Sequence, residues 1–138
     1  GRPVRLRGIG ERLEPLPRCP ALAMLLINPG VPLATGAVFA ARAAAEGGPR
    51  AGPVGLDLDA LRAGRNDLEA AAVRLAPVVG EVLGALRALP GCRLARMSGS
   101  GPTCFGLFDN ATEAAAAAAR LTARWPAWWV RPTTTAAA

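Results

Sequence analysis

The chain has 138 residues, 51% of them hydrophobic, and a net charge of +6 carried wholly by arginine. With no lysine, histidine or tyrosine, it lacks a Schiff-base or phosphate-loop lysine, a histidine general base and any zinc site built on imidazole. The length suits one domain with a real core, and no apolar run reaches the roughly 20 residues of a membrane span. The opening Gly1-Arg2-Pro3 has no initiator Met and no signal-type apolar stretch, so the chain reads as a cytoplasmic fragment or processed piece. Cys19, Cys92 and Cys104 form no C-x-x-C pair, which argues against a metal site or disulfide framework and for a reducing compartment. The arginines are scattered and interleaved with few aromatics, a pattern of coding bias more than of a nucleic-acid footprint, so no nucleic-acid partner is expected.

In chain order, Val4, Leu6 and Ile9 suggest an edge-like strand, and Pro15, Pro17 and Pro20 then interrupt regular structure. Residues 1–17 therefore read as a linker or edge segment, and 18–138 as the domain proper. Ala21 to Ile27 is a continuous apolar run bounded by Pro20 and Asn28-Pro29-Gly30, which predicts a buried strand. Thr35 is placed to cap a helix from Gly36 to Glu46, closed by Gly47-Gly48-Pro49. Residues 47–56 read as a Gly/Pro loop and 57–63 as a short helical turn. Asn66-Asp67-Leu68-Glu69 has the spacing of a capping box. Leu68, Ala72, Leu75, Val79, Val82 or Leu83, and Leu86 then recur at helical spacing, with Pro77 starting a second helix or kinking one long one. Asn110 or Thr112 caps a helix from 111 to 124, in which the alanine run supplies propensity. Residues 127–131 read as a last strand and 133–138 as a frayed tail.

Between these lies Met97-Ser98-Gly99-Ser100-Gly101-Pro102-Thr103-Cys104-Phe105-Gly106-Leu107-Phe108, a polar glycine turn joining predicted strands at 92–97 and 103–108. Gly99 and Gly101 permit the reversal. Taken alone, the turn is either a plain hairpin or a nest of N–H groups and serine hydroxyls facing a phosphate. Because a strand and not a helix comes next, the primary cradle of a nucleotide phosphate is excluded. The frame is β-α-β-β-α-β, the ferredoxin-like split motif, an α+β fold with one four-stranded antiparallel sheet and helices on one face.

Four stretches, Gly8-Ile9-Gly10-Glu11, Asn28 to Phe39, Asn66-Asp67-Leu68-Glu69 and Met97 to Phe105, resemble in order and spacing the C-terminal part of GHMP-superfamily kinases. Within that superfamily they are most similar to the family that phosphorylates the 2-hydroxyl of 4-diphosphocytidyl-2-C-methyl-D-erythritol in non-mevalonate isoprenoid synthesis. The resemblance covers nearly the whole chain. It implies an ATP- and Mg2+-dependent transferase whose chemistry is positioning and charge stabilisation. The phosphate loop, catalytic aspartate and lysine would lie on an N-terminal kinase domain, the partner of this one. The fragment alone would then be inactive and would bind neither ATP nor Mg2+ tightly.

The resemblance also assigns residues. Phe39 matches a ring that packs on the cytosine of a cytidine-diphosphate-linked substrate, with Thr35 and Gly36 beside it. Ser98, Gly99, Ser100 and Gly101 match the glycine motif bordering the phosphate-transfer region, and Pro102 stands where the family commonly has alanine. It implies no catalytic residue and no metal ligand on this chain. An apolar patch near Phe39 and the turn is expected. The alternatives are another GHMP small-molecule kinase or a stand-alone ferredoxin-like interaction module.

Overall fold

The computed structural model describes residues 4–7, 12–15, 21–43 and 58–135. Cys19, the Gly8-to-Glu11 stretch, the loop at 47–56 and the last three residues of the expected tail lie outside the described residues. Val4–Arg7 (β1) and Arg12–Pro15 (β2) pair antiparallel, with Val4 opposite Pro15 and Arg7 opposite Arg12.

The remaining elements are Ala23–Asn28 (β3), Thr35–Ala43 (α1), Leu58–Ala63 (α2), Glu69–Leu75 (α3), Val78–Arg87 (α4), Leu94–Met97 (β4), Cys104–Phe108 (β5), Ala111–Arg124 (α5) and Trp129–Thr134 (β6). The four strands β3 to β6 form one sheet in the order β4-β5-β3-β6, every neighbouring pair antiparallel. This is the expected β-α-β-β-α-β frame, with first and third strands central. The insertion of α2 to α4 before the second strand carries the Asn66 motif to the β4 edge.

The apolar run at β3 is buried on one face only. Ala23, Leu25 and Ile27 are buried, whereas Met24, Leu26 and Asn28 are half-buried. An antiparallel sheet covered by helices on one side leaves the alternate residues of even a central strand partly open. Val79, Val82, Leu83 and Leu86 of α4 and Ala114, Ala117, Ala118 and Leu121 of α5 complete the core with Val38, Met97, Cys104 and Phe108. At Gly106 in β5 a Cβ would meet Leu86 Cδ2 at 2.8 Å, so glycine there lets α4 pack directly on the sheet.

Pro77 does start a second helix, occupying the cap position of α4. Thr35 is the first residue of α1 and not its cap, because its hydroxyl is engaged elsewhere. The expected frayed tail is corrected. Thr133 and Thr134 lie in β6, paired with Met24 and Ala23. The next residue, Thr135, donates its N–H to Leu22 O at 3.0 Å and accepts from Leu22 N at its hydroxyl at 2.8 Å. Threonine suits a half-exposed strand, and a neighbouring strand with free backbone groups extends the pairing. The last strand also starts later than expected, because Trp128 folds back to stack on Trp125 with ring centroids 4.6 Å apart.

Candidate substrate and phosphate site

The glycine turn closes on itself. Ser98 N donates to Thr103 O at 2.8 Å and Gly101 N to Ser98 O at 3.0 Å. Gly99 and Gly101 have φ of +55° and +81°, the left-handed region that glycine enters without a Cβ penalty. A Cβ at Gly101 would also stand 2.6 Å from Met97 Sδ and 3.2 Å from Leu33 Cδ2. The Gly101–Pro102 peptide is cis. Among the described residues nothing accepts from the N–H groups of Gly99 and Ser100. β5 comes directly after, so no helix dipole backs the turn.

Asn66 and Glu69 hold this turn. Among the described residues β4 pairs only with β5 and is a sheet edge. Since Ser98 faces β5, the alternation of an antiparallel ladder points the N–H and C=O of Met97 outward. Glu69 Oε2 accepts from Met97 N at 3.1 Å. Asn66 Nδ2 donates to Met97 O at 2.9 Å and to Gly99 O at 2.8 Å. The capping box expected here is therefore corrected. Helix α3 has Leu68 at its cap with no side-chain cap bond, and Asn66 Oδ1 accepts from Leu68 N at 3.0 Å. The second carboxylate oxygen of Glu69 takes Arg87 Nη2 at 3.2 Å.

On the opposite side, the Asn28-to-Thr35 loop reaches the turn twice. Asn28 Nδ2 donates to Thr103 Oγ1 at 3.0 Å while its Oδ1 accepts from Gly30 N at 2.8 Å. The hydroxyls of Thr35 and Ser100 hydrogen-bond at 2.9 Å. Helix α1 therefore starts against the turn, with Gly36 next to the contact. Phe39 lies one turn along the same helix face as Thr35 and is 53% exposed. The structure thus ties Thr35 to Ser100 across 65 residues of sequence and sets Gly36, Phe39, Ser98, Gly99 and Gly101 around that contact. Sequence reasoning missed Asn28, Asn66 and Glu69 as the groups that shape the site. Their polar side chains were the available signal, but Asn28 was read as part of a turn and Asn66 and Glu69 as a capping box.

The thiol at the site is inert. Burial, together with the nearby Glu69 charge, pushes Cys104 up to about 12, and burial raises Cys92 as well, so neither is a thiolate nucleophile near neutral pH. Among the described residues no three of His, Cys, Asp and Glu converge to hold a metal ion. No described helix is long and apolar enough to cross a membrane.

The family model described as "GHMP kinases C terminal" matches residues 51–127, and the chain belongs to that family. Among curated relatives, the 4-diphosphocytidyl-2-C-methyl-D-erythritol kinase of Paracoccus denitrificans is 52% identical over 94% of this chain and 49% of its own length. That of Paramagnetospirillum magneticum is 49% identical over 96% of this chain and 48% of its own length. The chain thus spans about half the length of the curated relatives it matches. A crystal structure of 4-(cytidine 5'-diphospho)-2C-methyl-D-erythritol kinase superposes with TM-score 0.70 at 35% identity, covering 98% of this chain and 50% of that one. The L. major mevalonate kinase bound to R-mevalonate shares the fold at TM-score 0.62 and 13% identity.

Proposed function

We propose that this chain is the substrate-side half of an ATP-dependent kinase that phosphorylates the 2-hydroxyl of 4-diphosphocytidyl-2-C-methyl-D-erythritol, a step of non-mevalonate isoprenoid synthesis. The observation that carries the reading is 52% identity across 94% of the chain to a kinase of that name. In this reading the exposed ring of Phe39 packs on the cytosine, and Thr35 and Gly36 border the substrate. Ser98, Gly99, Ser100 and Gly101 line the phosphate-transfer region through the unengaged N–H groups of the turn. Glu69 is not a base, because its carboxylate is committed to Met97 N–H and Arg87. ATP, Mg2+ and the catalytic groups then belong to an N-terminal kinase domain, with residues 1–17 linking to it. The setting is cytoplasmic.

The test is turnover by the intact protein. It should consume ATP in the presence of the cytidine-linked substrate, and Phe39→Ala should weaken cytidine 5'-diphosphate binding by about 1 kcal/mol or more, roughly fivefold. Turnover of a different alcohol, with cytidine nucleotides neither binding nor inhibiting, would assign another GHMP kinase activity. A protein that binds no nucleotide or small alcohol at all would point to an interaction module.

A further inference from the structure

The tetrapeptide Asn66-Asp67-Leu68-Glu69 touches both sides of the site. In one direction, Asn66 and Glu69 take the N–H and C=O of Met97 and the C=O of Gly99, which frame the start of the glycine turn. In the other, Asp67 forms an ion pair at 3.5 Å with Arg42, which stands three residues beyond Phe39 on α1, each side chain 28% exposed. Immediately downstream, Arg74 of α3 donates to Ala41 O of α1 at 3.2 Å. Asn66 Oδ1 accepts from Leu68 N at the start of α3, and Asp67 also pairs with Arg65, while the remaining polar groups of Asn66, Asp67 and Glu69 reach the turn and α1.

We infer that Asn66, Asp67 and Glu69 are positioning residues that hold the glycine turn and helix α1 in one fixed relation. The cytidine end and the phosphate-accepting end of the substrate are thereby registered against each other. This rests on the kinase reading above. The groups being aimed are the N–H groups of Gly99 and Ser100 on one side and the Phe39 ring on the other. A misplacement of about 1 Å between them is enough to lower the rate on the order of a hundredfold. The two arms differ in kind. The turn arm consists of direct hydrogen bonds to backbone and acts on phosphoryl transfer. The helix arm includes a partly exposed ion pair, which is weak, and acts on cytidine binding.

Three substitutions in the intact protein separate the arms. Asn66→Asp keeps the size and the acceptor for Leu68 N–H but sets a carboxylate oxygen against two carbonyls. It should lower kcat by about tenfold or more and leave the Kd for cytidine 5'-diphosphate within about twofold of wild type. Asp67→Asn should raise that Kd about threefold with kcat within about twofold. Glu69→Ala should lower kcat, and Glu69→Gln, whose amide oxygen still accepts from Met97, should recover most of it. Hydrogen exchange at the bonded amides of Ser98 and Gly101 in the ligand-free protein should quicken about tenfold in Asn66→Asp.

A folded Asn66→Asp with wild-type kcat, or with parallel losses of kcat and nucleotide affinity, overturns the inference. So does a Glu69→Gln no better than Glu69→Ala, which decides the matter where Asn66→Asp does not fold. Exchange needs no substrate. An intact wild type without activity on the cytidine-linked substrate therefore defeats the functional reading alone. Unchanged exchange in Asn66→Asp defeats the bracket whatever the substrate is.

Discussion

Two segments of this chain share the pattern Asn-x-x-Glu at the start of a helix, and they use it in opposite ways. At α5, Asn110 is extended, with φ −151° and ψ 166°, and its Oδ1 accepts from Glu113 N at 2.9 Å while its Nδ2 donates to Glu113 Oε1 at 3.0 Å. The motif is satisfied within four residues. At α3, Asn66 keeps one local bond, from Leu68 N to its Oδ1, but its Nδ2 and the Glu69 carboxylate bond Met97 and Gly99, about thirty residues distant. The difference is what lies beside each motif. α3 starts next to the open edge of β4, whose outward N–H and C=O groups lack a strand partner, and an unpaired edge takes up nearby donors and acceptors. The spacing of a capping box states an option, and the neighbouring backbone determines whether it is used.

If the α3 motif exists to hold the turn, the greatest loss should come from disturbing the turn itself. Gly101→Ala combines a positive φ with the close approach to Met97 Sδ and Leu33, and should destabilise the chain by about 2–3 kcal/mol in urea unfolding. A neutral result would mean the turn is free to rearrange and needs no bracket. Asn66→Ala removes the donor to two carbonyls and the acceptor of Leu68 N–H, and should cost about 1.5 kcal/mol. Asn110→Ala removes an exposed cap and should cost about 1 kcal/mol, with no change in exchange at the distant turn. Equal exchange effects at the Ser98 and Gly101 amides from the two asparagine variants would erase the distinction between the motifs.

The smallest effect is one of pH. Asp109, next to the Asn110 cap, is held below the ordinary carboxylate range by its hydrogen bonds to Arg93. A carboxylate depressed in the folded state adds stability that is present above about pH 4 and is lost as pH falls through its lower folded value. Both side chains are about half exposed to solvent, so the contribution is slight. Asp109→Asn should flatten the acid limb of the stability curve slightly and leave the neutral region unchanged. A steeper acid limb in the variant would reverse the sign argued here.

Much of this molecule was legible in its sequence. Apolar periodicity, prolines and glycines placed β3, the α3–α4 break at Pro77, the hairpin and α5, and their order specified the sheet. Local rules sufficed there because each element buries its own repeat. They failed at Thr133 and Thr134, where a polar run became a strand because β3 had a free edge for it. They also failed at Thr35, whose hydroxyl meets Ser100 instead of capping α1.

For the site, the glycines of the Ser98-to-Gly101 turn marked that stretch as a reversal or anion nest, and only the resemblance to GHMP kinases marked Thr35, Gly36 and Phe39 as candidates. That Asn66 and Glu69 belong with them depended on the fold alone. A side-chain amide or carboxylate bonds whichever backbone group comes within about 3 Å. The packing of a helix start against a sheet edge decides which group that is, and no spacing along the chain encodes it.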